Sequence, residues 1–136
     1  MVFRALVVSV LLLAGSAPAF AADEAKIPLL ADLMKQPTYR AAWIGMLAGE
    51  TPPAWIEDYA KTLDGPPSPS IPVMVGADPY TLGFTCKPNG CGDDQLYVLF
   101  SPGGAKAWGL LLTGTQKKWL GSPDQSIQDA VLSAIE

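Results

Sequence analysis

Cys86 and Cys91 are the only cysteines in the chain, and Lys87-Pro88-Asn89-Gly90 stands between them. Two sulfurs at that spacing suggest three chemistries: a disulfide, a redox pair or part of a metal site. Thioredoxin-type redox pairs have two intervening residues rather than four. Zinc takes four ligands, mostly Cys and His, and the chain contains no histidine. A disulfide closing this small ring fits best, and chain entropy gives it about 2 kcal/mol. Proline presets φ for the second position of a turn, and Asn-Gly tolerates positive φ. The ring is either a stapled hairpin tip with no partner or a preformed recognition loop, whose rigidity lowers the ordering cost of binding.

The missing histidine removes more chemistry than the cysteines suggest. A Ser-His-Asp or Cys-His nucleophile, a His-ligated metal and an imidazole switch are all ruled out. Asp93-Asp94 is the paired acidic stretch beside the tip. Adjacent residues rarely face one substrate, so the pair reads as a solvated loop face. The chain reads as a binding protein, not an enzyme, with no cofactor and no metal expected.

The opening residues indicate where the cysteines pair. Arg4 precedes an apolar run from Ala5 to Ala14, followed by Gly15, Ser16, Pro18 and the small-x-small sequence Ala19-Phe20-Ala21. These are the parts of a secretory signal peptide, and the run is too short to cross a bilayer. Residues 1–21 are expected to be removed, leaving 22–136 as a single exported domain in an oxidising compartment where the cysteines bond. That domain carries 8 Lys+Arg against 13 Asp+Glu, a net charge of −5. With Lys117-Lys118 as its longest basic run, it is not expected to bind nucleic acid or a membrane. Its field favours a basic partner.

The elements that position the ring follow from pattern. "PLLADLMKQP" predicts a short helix with Leu29, Leu30, Leu33 and Met34 on one face. "TYRAAWIGMLAGE" predicts a second, capped by Thr38, with Tyr39, Trp43, Met46 and Leu47 in one stripe. "PAWIEDYAKTLDG" is ambiguous, with a turn of helix leading to Gly65 as one reading, and "GPPSPSIP" is a loop within the domain. "IPVMVG", "YTLGFTC", "QLYVLFS" and "AKAWGLLLT" predict strands, with "QKKWLG" a shorter fifth. Short connections join antiparallel neighbours. Asp124 or Ser126 caps a last helix carrying Ile127, Val131, Leu132 and Ile135 inward. The order predicts an α+β domain.

Taken together, "YRAAWIGMLAGETPPAW", "CKPNGCG", "YVLFS" and "KKWLGSP" resemble the Ivy family, periplasmic inhibitors of vertebrate (C-type) lysozyme. The resemblance covers nearly all of the predicted mature chain. It implies an antiparallel sheet of about five strands with helices packed on one face, and makes a homodimer an expectation. It also implies that residues 86–91 enter a lysozyme cleft. The family loop reads Cys-Lys-Pro-His-Asn/Asp-Cys, its histidine lying between two catalytic carboxylates. Cys86, Lys87, Pro88 and Cys91 match that pattern, whereas Asn89 replaces the histidine and Gly90 the Asn or Asp. The expectation is therefore weakened or retargeted inhibition. The cell's own lytic transglycosylases are the alternative target, and a structural binding partner is the alternative role.

Overall fold

The computed structural model describes Gly15 and residues 27–136. Apart from Gly15, the expected signal peptide and the start of the mature chain lie outside the described residues. Three helices come first: α1 (Leu30–Met34), α2 (Pro37–Leu47) and α3 (Ala54–Thr62). Five strands follow, β1 (Ile71–Val75), β2 (Asp78–Cys86), β3 (Asp94–Phe100), β4 (Ala107–Thr113) and β5 (Gln116–Leu120). Helix α4 (Gln125–Ile135) closes the chain. The strands form one antiparallel meander in the order β1-β2-β3-β4-β5, so the domain is α+β with the sheet expected from the sequence.

Strand alternation sorts the core into two layers. Leu96, Val98 and Phe100 of β3 point to one face and pack with Leu30, Trp43, Met46 and Ile56 of α1–α3. Leu99 points to the other face and joins Leu82, Val73 and Leu110 against Ile127 and Val131 of α4. The expectation of helices on one face thus describes α1–α3, while α4 adds a layer on the opposite face. That second layer explains why Val98, Leu99 and Phe100 are all buried: a strand covered on both sides needs apolar residues at consecutive positions. Gly83 on β2 leaves room for α1, since a Cβ there would lie 2.9 Å from Leu30 Cδ1.

Helix ends depart from the expected caps in one case. Thr38 does not cap α2: Pro37 occupies the first turn and Gln36 the cap position, with no side-chain cap hydrogen bond. Proline suits that position because its missing N–H would have had no helical partner. Asp124 caps α4 as expected, its carboxylate accepting from Ile127 N–H at 3.0 Å. The ambiguous stretch forms α3, a helix of nine residues that buries Trp55, Ile56 and Tyr59. Arg40 ties the three helices together, donating through Nη1 to the Ala60 carbonyl at 2.8 Å and through Nε to the Met34 carbonyl at 3.2 Å. Among the described residues no helix is long and apolar enough to cross a membrane.

Candidate functional site

The six predicted residues lie together at the end of the β2–β3 hairpin. Thr85 pairs with Leu96 and Cys86 with Gln95, so the last rung of the ladder stands directly beneath the turn. The Cys86–Cys91 disulfide closes it, with Cα atoms 4.9 Å apart. Cys86 is only 6% exposed, anchored in the domain, while Lys87, Pro88, Asn89 and Cys91 are exposed and Gly90 is half-buried. The ring therefore has a buried root and an open tip.

Backbone hydrogen bonds add to the disulfide in holding that tip. Gly90 N–H donates to the Lys87 carbonyl at 2.9 Å, closing a turn with Pro88 second and Asn89 third. Asn89 has φ 60°, which gives the pattern of a type II turn and the left-handed conformation that asparagine tolerates better than most residues. The Gly90 carbonyl accepts from Asp93 N–H at 3.1 Å and Asp94 N–H at 2.9 Å, and Lys87 N–H donates to the Asp94 carbonyl at 3.0 Å. Gln95 Nε2 reaches the Cys91 carbonyl at 2.8 Å. Gly90 is thus tied by three hydrogen bonds, which limits the freedom a glycine would bring to the tip.

The paired acids are side by side but not alike. Asp93 is exposed, and its carbonyl accepts from Gly114 N–H at 2.7 Å; Asp94 is half-buried and opens β3. Their side chains do not converge with a third acid, and among the described residues no group of three or more His, Cys, Asp and Glu could hold a metal ion. The tip presents the Asn89 amide, a donor and acceptor without charge, beside the Lys87 ammonium. It can hydrogen-bond and attract carboxylates.

One feature of the site was not apparent from the sequence. The connector after α3 runs alongside the ring, and Asp64, Gly65 and Pro66 face Cys86–Asn89 and Cys91 across an open groove of about 230 Å³. A smaller cleft of about 80 Å³ lies between α3 and the ring, walled by Trp55, Tyr59, Cys86 and Pro88. The only sequence signals were a glycine and prolines in a connector, and these do not say which loop the connector meets.

Comparison with known proteins now bears on this geometry. Residues 38–132 match the family described as "Inhibitor of vertebrate lysozyme (Ivy)". A Pseudomonas aeruginosa protein named inhibitor of vertebrate lysozyme is 30% identical over 135 residues, 88% of this chain and 84% of that protein. The Escherichia coli K12 protein of the same name is 32% identical over 118 residues, 86% of this chain and 69% of its own length. An uncharacterised Yersinia pestis protein is 32% identical over 126 residues, covering 82% and 79%. Both named relatives are inhibitors and not enzymes. The match begins just inside α2 and spans α3, the five strands with the ring and most of α4, and the chain belongs to the Ivy family.

Proposed function

We propose that this protein is a periplasmic inhibitor of lysozyme-like muramidases, exported by the signal peptide at residues 1–21, with the Cys86–Cys91 ring as the part that enters the glycan-cleaving cleft. The observation that carries this reading is an exposed Lys87-Pro88-Asn89 tip on a covalently closed turn, in a chain whose relatives are named inhibitors of vertebrate lysozyme. A retaining glycosidase cleft holds two carboxyl groups about 5 Å apart, one with a raised pKa. A rigid tip offering hydrogen-bond donors between them blocks the substrate and satisfies both groups. The acidic balance of the predicted exported chain speeds encounter with a basic enzyme at low salt.

Asn89 sets the expected strength. Its amide is neutral, and charge-assisted hydrogen bonds exceed neutral ones by about 1–2 kcal/mol, close to tenfold in affinity. Lys87, the cation on the tip, recovers part of that loss. Titration of the purified protein against a C-type lysozyme tests the reading: inhibition weaker than nanomolar is expected, and none at high micromolar concentration would overturn it. A tip with asparagine in place of the loop histidine also favours a second reading, inhibition of the cell's own lytic transglycosylases, whose clefts use a single acid. Inhibition of a transglycosylase without inhibition of lysozyme would select it. The homodimer implied by the resemblance belongs to the same proposal, and sedimentation velocity reads it directly.

A further inference from the structure

We propose that the connector Asp64-Gly65-Pro66 is the back-stop that aims the ring, with Gly65 the positioning residue. This rests on the reading of residues 86–91 as the inhibitory element, and deepens it. Gly65 passes so close to the root of the ring that an added Cβ would lie 2.7 Å from Thr85 Oγ1 and 3.1 Å from Tyr59 Cε2. Thr85 is fully buried, its hydroxyl has no hydrogen-bond partner among the described residues, and it immediately precedes Cys86. Pressure on Thr85 is therefore passed directly to the anchored half of the disulfide.

The connector is built not to yield. Leu63, packed against the core, takes the left-handed conformation at φ 55° as α3 ends, and its N–H donates to the Tyr59 carbonyl at 2.7 Å. Asp64 N–H donates to Thr62 Oγ1 at 3.2 Å. Pro66 restricts Gly65 to extended backbone. Gly65 does not have positive φ, so alanine fits its backbone, and the only obstacle is what it would strike. A close-packed contact of this kind transmits a displacement instead of absorbing it.

Gly65→Ala tests the back-stop, with Thr85→Ala as the compensating change because it removes the nearest atom that Cβ would strike, Thr85 Oγ1. In the full chain, two-dimensional NMR should show Gly65→Ala moving the amide signals of Lys87, Asn89 and Gly90, and Gly65→Ala/Thr85→Ala returning them towards wild type. Lysozyme inhibition should weaken roughly tenfold in the single variant and recover in the double one, whatever the melting temperatures do. A folded Gly65→Ala protein with unmoved tip signals and undiminished inhibition would overturn the back-stop. Lack of inhibition by the wild-type protein would overturn the proposed function, while the NMR comparison, made without any enzyme, would still decide the back-stop. If Gly65→Ala fails to fold and Gly65→Ala/Thr85→Ala folds with native tip signals, the steric coupling stands; if both fail to fold, the contact is structural and the inference falls.

Discussion

Opening the ring is the perturbation whose consequences can be worked furthest. Cys86→Ala/Cys91→Ala removes the cross-link but leaves the turn sequence intact. Chain entropy for so small a loop gives a loss of about 2 kcal/mol, and trimming a buried sulfur at Cys86 adds to it. For a domain of this size that lowers Tm by roughly 8 °C. The effect on binding follows from what still holds the tip: the four backbone hydrogen bonds among Lys87, Gly90, Asp93 and Asp94. They restrain residues 87–90 only while the strand ends stay together. Backbone freedom is worth about 1–2 kcal/mol per residue. If the hydrogen bonds keep about half of the order at these four residues, about 2–4 kcal/mol must be restored on binding, an affinity loss of roughly 30-fold or more. The assay is lysozyme titration with each variant, after circular dichroism has shown it folded at the assay temperature. A folded double variant that inhibits within about twofold of wild type would refute the claim that covalent rigidity is what makes the tip a plug.

Other outcomes follow from the same geometry. Asn89→His is expected to tighten inhibition about tenfold, more below pH 6.5 than above it. Histidine tolerates the φ of 60° found there, and its protonated form supplies the missing charge; unchanged affinity at both pH values would show that Asn89 does not meet a carboxylate. The Asp124 carboxyl is held below its usual pKa by the Ser126 hydroxyl and the Ile127 N–H. Its contribution to stability is therefore present above pH 3.8 and lost as pH falls further, and melting curves for Asp124→Ala should be lowered at pH 6 and converge on wild type in acid. Burial, with the Asp32 charge nearby, pushes the Tyr59 hydroxyl up to about 12. The unfolded chain ionises first, so stability falls between pH 10 and about 12, and Tyr59→Phe should flatten that part of the Tm profile.

Much of this molecule could be read before it was folded. The short apolar runs of "QLYVLFS" and "AKAWGLLLT", bounded by turn residues, marked β3 and β4, because strands covered on both faces need apolar residues at consecutive positions. Asp124 announced its helix because a carboxylate three residues before a free N–H is a local signal. The ring was equally local: two cysteines, a proline and Asn-Gly specify a closed turn without reference to the rest of the chain. Other features depended on residues far away in sequence. The helical state of "PAWIEDYAKT" was ambiguous from its own residues and is settled by burial of Trp55, Ile56 and Tyr59 against the core. The placement of α4 on the face opposite α1–α3 rests on Ile127 and Val131 meeting Val73 and Leu82, contacts that no spacing along the chain encodes. The approach of Gly65 to Thr85 is of the same kind. Sequence determined that a small rigid tip would exist, since its geometry is written in neighbouring residues. Tertiary packing alone decided where it points, because direction is set by what the chain lays against its root.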